Sequence, residues 1–181
     1  MKTVLKSIGG LLLVLFLFRG PIFRQLFSYV DVGSRPTQSL SDLEFIQAIR
    51  ERSSTLDNDL VSISALANLI TAETLKFTTG KASANPDELV KTGQANCVGY
   101  AALFAAIAEV LIREKGLENQ VEIQHKIGKL YLLDFDLHSL FKSPFFRDHG
   151  YVELQDRSAK TITAVDPSVS DYLWIKRVNK E

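Results

Sequence analysis

The chain has 181 residues, 46% of them hydrophobic and 23% charged, enough for one ordinary domain with its own core and too few for two. Lys+Arg and Asp+Glu both number 21, so there is no basic field of the kind nucleic-acid binding needs, and the apolar content excludes a disordered chain. A single cysteine excludes an internal disulfide framework and a Cys-based zinc site.

The charge is uneven along the chain. Residues 1–30 carry Lys2, Lys6, Arg19 and Arg24 and no acid, leaving 17 basic and 21 acidic residues, net −4, for residues 31–181. Ser7–Phe18 (SIGGLLLVLFLF) is uncharged behind two lysines, the layout of a secretory or signal-anchor segment. Twelve helical residues rise about 18 Å, short of the roughly 30 Å hydrocarbon core. An exported signal peptide and an uncleaved anchor both fit. No small-x-small cleavage site closely follows Phe18, which favours an anchor with Pro21–Val30 in the interface; a buried N-terminal helix is the third reading. The expected organisation is a signal or membrane-anchor segment over 1–30, a linker over 31–40 (its Gly and Pro in DVGSRPTQS) and a domain over 41–181. Lys2 and Lys6 predict a cytoplasmic N-terminus and an extracytoplasmic domain, membrane-anchored or exported, although Arg19 and Arg24 beyond the apolar run pull the other way.

Ser41 and Glu44 read as a capping box opening a helix to about Arg52, and Leu60, Ile63, Ala67, Ile70 and Thr74 set a second helix over Asp59–Phe77. A loop region with a short turn at Pro86–Lys91 leads to a third helix, from Cys97 to just before Gly116. Its AALFAAIAEVLI run is apolar on nearly every side, the mark of a central buried helix. Strand patterns follow: Val121–Ile127, Lys129–Phe135, His149–Leu154, Thr161–Asp166 and Tyr172–Val178. Helices first and strands afterwards predict an α+β fold with a mostly antiparallel sheet.

Cys97 is the leading chemical candidate. At a helix N-terminus a thiol sits in the positive end of the dipole, which favours the thiolate; the competing reading is a small buried hydrophobe. Among His125, His138 and His149, the last has a carboxylate across a hairpin. A four-residue turn between Gln155 and Lys160 sets His149 opposite Asp166, where side chains share a face, and a one-residue slip would separate them. The carboxylate would fix the ring tautomer and stabilise the imidazolium. Asp134, Asp136 and His138 alternate and would share a strand face as metal ligands, but a solvated strand edge is the stronger reading. His125 reads as surface or half-buried, Phe145 and Phe146 as core packing rather than a lid, and Tyr172 and Trp174 as packing on the sheet.

Three segments, GQANCVGYAALFAAIAEVL, DHGYVEL and ITAVDPSVSDY, together resemble the transglutaminase-like branch of the papain-like cysteine enzymes, over roughly residues 60–175. The resemblance matches Cys97, His149 and Asp166 to a nucleophile, a general base and its orienting carboxylate, with Tyr151 where that family usually has Trp. It implies a transglutaminase-like core and a polar oxyanion donor just upstream of the cysteine, for which Gln94 is the first choice beside the Cys97 N–H; Asn96 is the better helix cap. The implied activity is acyl transfer on an amide of a peptide or protein through a thioester, resolved by water (peptidase or amidase) or by an amine (transglutaminase), with no metal or organic cofactor. The alternative is a membrane-tethered peptide-binding module in which the same site is vestigial.

Overall fold

The computed structural model of the chain describes residues 9, 10 and 13–180. Lys2 and Lys6, which carry the topology expectation, lie outside the described residues. No described helix is long and apolar enough to cross a membrane.

The elements run α1 (Arg19–Leu26), β1 (Phe27–Arg35), α2 (Leu43–Ser53), α3 (Leu60–Thr74), β2 (Lys76–Phe77), α4 (Pro86–Thr92), β3 (Gln94–Ala95), α5 (Cys97–Glu114), β4 (Val121–Leu132), β5 (Phe135–Asp136), α6 (Leu137–Phe141), β6 (His149–Asp156), β7 (Thr161–Val165), α7 (Pro167–Leu173) and β8 (Asn179–Lys180). A 3₁₀ turn spans Pro144–Phe146. The main sheet has the order β7-β6-β4-β1-β8, with β5 added to β4; all its pairings are antiparallel except β1 with β8. The fold is α+β with a mostly antiparallel sheet, as the helices-then-strands order predicts.

Helix α5 is the pillar of the molecule. Residues Tyr100–Ala108 are all buried, and the chain's alanines at 101, 102, 105, 106 and 108 let neighbouring elements approach closely. Val152, Leu154 and Val165 of the sheet join one core with α5, Ile49 of α2 and Ile63, Ala67 and Ile70 of α3. The Ala-rich helix is thus sandwiched between the sheet and the first helices, which is why its sequence shows no polar face.

Four expectations are corrected. Residues 31–40 are not a linker, and the domain does not begin at 41. Phe27–Arg35 forms β1, a nine-residue strand between β4 and β8, and a register shift between Asp31 and Gly33 absorbs the glycine that suggested a loop. The helix at 43 is capped by Asp42, whose side chain accepts from the Phe45 N–H; Ser41 instead hydrogen-bonds Asp87, so no Ser41–Glu44 capping box forms. The two strand patterns around Gly128 are one strand, β4. Gly128 runs straight through because a Cβ there would press on the rings of Tyr151 and Tyr29 at 3.1–3.2 Å. Tyr172–Val178 is not a strand: Asp166 and Pro167 form an N-cap and N1 pair that starts α7.

Candidate active site

Three elements converge at the N-terminal end of α5. Asn96 caps the helix, its Oδ1 accepting from the N–H groups of Val98 (3.1 Å) and Gly99 (3.2 Å), so Cys97 is the first helical residue. Gly93, left-handed at φ 64°, ends α4 and turns the chain into β3, which delivers Asn96 and Cys97.

Strand β6 brings His149. Gly150, the next residue, has no room for a side chain: a Cβ would lie 2.9 Å from the Cys97 carbonyl oxygen and 2.9 Å from the Val98 Cα. That glycine is what allows the histidine strand to abut the first turn of α5. His149 is fully buried, and its Nε2–H donates to Asp166 Oδ2 at 2.5 Å. His149 Nδ1 makes no well-aligned hydrogen bond among the described residues, and with Nε2 taken by Asp166 it is the ring nitrogen left for the Cys97 thiol, which lies close enough for His149 to lower its pKa.

Asp166 is also fully buried and is held by five donors. Oδ1 takes Ser168 N–H (3.0 Å), Ser168 Oγ–H (2.7 Å) and Val169 N–H (3.1 Å); Oδ2 takes Tyr29 O–H (2.7 Å) and His149. The hairpin register differs from expectation by two residues: Leu154 pairs with Thr163, not Thr161, and Val152 with Val165. A shift of two preserves face parity, so His149 and Asp166 meet as diagonal rather than directly opposed neighbours.

The electrostatics follow from this packing. Burial pushes the Cys97 thiol up, but the hydrogen bond and charge of His149 and the Gly150 N–H outweigh it, and the net direction is down. Burial pulls His149 down, but the Asp166 carboxylate and its hydrogen bond dominate and raise it to about 10. Burial pushes Asp166 up; the His149 charge and the donors around it hold it below the usual carboxylate range. All three shifts favour a thiolate–imidazolium pair beside an ionised aspartate.

Cys97 opens onto a cleft of about 820 Å³ whose walls are mainly apolar, among them Phe77, Phe145, Phe146, Val169, Tyr172 and Leu173. Phe145 stands edge-on to the His149 ring at 4.4 Å, and Cys97 as a whole is only 5% exposed. Several sequence expectations change here. Phe145 and Phe146 wall the cleft, and Phe146 also packs on the smaller core of Tyr29, Leu130, Leu137 and Tyr151, as expected of it. Tyr172 lines it too, its hydroxyl accepting from the Phe77 N–H at 3.0 Å, and Trp174 is exposed; neither packs on the sheet. Gln94 is exposed on β3 and does not line the cleft, so it is not brought to the thiol. Asn96 does line it, and its Nδ2 makes no hydrogen bond among the described residues.

His125 is buried rather than half-exposed. Its Nε2 has no partner among the described residues, and burial, aided by the Arg35 charge, lowers it to about 4. Asp136 caps α6 and pairs with Lys129 at 2.8 Å, while His138 Nδ1 lies 2.9 Å from the Ser143 carbonyl oxygen, so these groups are engaged in local structure. Among the described residues no group of three His, Cys, Asp or Glu side chains gathers to hold a metal.

Tyr29 is the site residue that sequence reasoning missed. It is fully buried, bonds Asp166 and lies edge-on to His149 with ring centroids 5.7 Å apart. The β-favouring Phe27, Tyr29, Val30 and Val32 around it are a strand signal that the neighbouring apolar run obscured. No protein-family model, curated protein or solved structure matches the chain.

Proposed function

We propose that the protein is a cysteine-dependent acyl-transfer enzyme acting on an amide, with Cys97 as nucleophile, His149 as acid and base, and Asp166 as the group that orients His149. One observation carries the reading: a buried, ionised Asp166 fixes Nε2 of a buried histidine, leaving Nδ1 to a thiol that opens a helix at the wall of a large cleft. The likeness of the three segments to transglutaminase-like enzymes supports it. The thiolate attacks the carbonyl carbon, the S–C bond forms, and the charge on oxygen is met by the Cys97 N–H with Asn96 Nδ2 as second donor, in the role first expected of Gln94. His149 passes its proton to the leaving nitrogen as the C–N bond breaks. Water or an amine then loses a proton to His149 and attacks the thioester, restoring the thiol. Water makes the enzyme a peptidase or amidase; an amine makes it a transamidase.

The test is a mass-spectrometric search for an acyl adduct on Cys97 after incubation with a library of glutamine-containing peptides and of activated esters. An adduct that forms on the wild type, and not on Cys97→Ser, supports the reading. A second reading, a peptide-binding module tethered at a membrane, is favoured by the Phe145 ring against His149 and by the low exposure of Cys97. It predicts peptide affinity that survives Cys97→Ser and no adduct on the wild type.

A further inference from the structure

A series of contacts links many of the exposed apolar side chains to residues that line the cleft. Phe16 and the guanidinium of Arg19 pack on Trp174, with ring centroids 6.0 Å apart and the Arg19 Cζ 5.5 Å from the indole. Leu173, beside Trp174, lines both the cleft and the groove under α1. Across the cleft Phe146 stacks on Phe141 at 5.3 Å. Phe141 ends α6, which follows β5 with its exposed Phe135, and the β4–β5 turn returns to α1 through the Leu133 N–H bond to the Leu26 carbonyl (2.8 Å). Along this rim Leu133, Phe135, Leu140, Phe141, Leu173 and Trp174 are all exposed, as are the residues of Leu13–Phe18.

Two of these side chains stand where backbone sterics oppose them. Leu133 (φ 47°) and Asp134 (φ 68°) are the central residues of a two-residue hairpin, a place suited to Asn-Gly, and Trp174 ends α7 at φ 53°. A leucine 57% exposed is thus held at a position that costs stability, and so is a tryptophan that stays 61% exposed despite its contacts with Phe16 and Arg19. The charge beside them is basic: Arg19, Arg24, Lys142 and Arg147. Of the nearby acids, Asp136 pairs with Lys129 and Asp148 with Arg35, while Asp134 and Asp171, which accepts from the Tyr100 O–H, have no ion pair among the described residues.

We propose that this rim is a membrane-contact surface that seats the cleft mouth on a bilayer containing anionic lipid. Apolar side chains insert, Arg19 snorkels beside Trp174, and the exposed Leu13–Phe18 residues enter the same bilayer. The surface argument is independent of the thiol chemistry. Its consequence, that the acyl donor is itself membrane-borne, rests on the function proposed above.

The chain's single tryptophan makes the test direct. The full chain is mixed with phosphatidylcholine–phosphatidylglycerol vesicles whose acyl chains are brominated, and Trp174 fluorescence is read alongside flotation. Quenching with a blue shift is expected, with most of it lost in Phe135→Ser/Phe141→Ser. Leu133→Asn serves as the second variant, because it relieves the left-handed leucine: it should melt no lower than wild type and still lose quenching. Trp174 unquenched on chains that float overturns the proposal, since the N-terminal segment would then be the sole tether. Quenching that persists in both variants overturns it. So does a stable dimer by light scattering whose Trp174 stays unquenched, because a second copy would then cover the rim. Cys97→Ser should leave quenching unchanged, so loss of the catalytic reading and loss of this one are separable.

Discussion

Replacing His149 by Gln isolates the coupling between imidazole and thiol. The glutamine amide N–H can reach the position of Nε2–H, so Asp166 keeps a fifth donor; if it fails to, four remain, from Tyr29, Ser168 (two) and Val169. This matters because stripping the partner from a buried charge costs about 3–5 kcal/mol, and His149→Ala would confound chemistry with unfolding. Without the imidazole, burial is the largest influence left on Cys97 and pushes the thiol up. A thiol at its ordinary pKa of about 8.5 is roughly 3% thiolate at pH 7, and a buried one less. A fully formed ion pair in the wild type therefore implies about a 30-fold fall in thiolate at pH 7. The weaker intrinsic nucleophilicity of a low-pKa thiolate offsets part of that, so a fall of at least about tenfold in alkylation rate is expected. The assay is iodoacetamide alkylation across pH, using the shape of the profile because access to a cysteine only 5% exposed sets the absolute rate in both proteins. The wild type should keep a reactive limb well below pH 8, and the variant should rise only in alkali. Superimposable profiles for two folded proteins would refute the ion pair and with it the assignment of His149.

Tyr29→Phe removes one donor to a buried carboxylate and should lower stability in urea by about 1.5–3 kcal/mol, while leaving the fold intact by circular dichroism. Gly150→Ala forces a Cβ to 2.9 Å from two backbone atoms; a loss of about 1–3 kcal/mol in the same assay and a shift of the Cys97 alkylation profile towards a free thiol are expected together. The pair His149–Asp166 gives stability a signed pH dependence. His149 is raised to about 10, so its contribution is complete below the unfolded value near 6.5 and is lost as pH climbs through 10; Asp166 is lowered, so its contribution is complete above about 4 and is lost as pH falls further. Melting temperature against pH should therefore plateau between about 4 and 6.5, and in His149→Gln the alkaline decline through pH 10 should flatten. Truncation at Arg35 deletes β1 from between β4 and β8 and takes Tyr29 with it, so a chain beginning at Pro36 should lack a cooperative melt.

The parts of the molecule that were legible in the sequence are those where one signal dominates. The apolar girth of α5 announces burial, Asn96 announces a cap, and alternation in β6 and β7 announces a hairpin. The Cys97, His149 and Asp166 set was readable because a two-residue error in register leaves parity unchanged. What was not readable depended on competing signals. Phe27–Arg35 reads as the tail of a greasy segment plus a Gly-containing loop, and only a partner strand distant in sequence, β4, reveals it as sheet. Asp166 was read as the end of a strand, when the same side chain also caps α7; one carboxylate serves the histidine through Oδ2 and the helix through Oδ1. Gln94 was chosen by analogy, and local strand pairing with Lys76 holds it away from the cleft. Leu133 and Trp174 defy the turn and cap preferences of their positions, so no local rule foretells those turns.

The energetics of the site argue that stability of the fold alone does not account for it. A buried ion pair seldom outperforms well-packed apolar side chains of similar volume, because desolvation offsets the attraction. Here the disadvantage is compounded. His149 and Asp166 are both wholly buried, His149 Nδ1 lacks a well-aligned partner, and β6 must accept a glycine at 150, which weakens a strand interior, to let the pair reach α5. The first two would be relieved by apolar side chains at 149 and 166. What the arrangement yields instead is a carboxylate fixed by five donors, an imidazole fixed by the carboxylate, and a thiol depressed by the imidazole, each member of the series oriented by the one behind it. That series begins at Tyr29 in β1 and ends at the cleft wall, so the first strand of the domain, the one hardest to see in the sequence, is the outermost support of the Cys97 thiol.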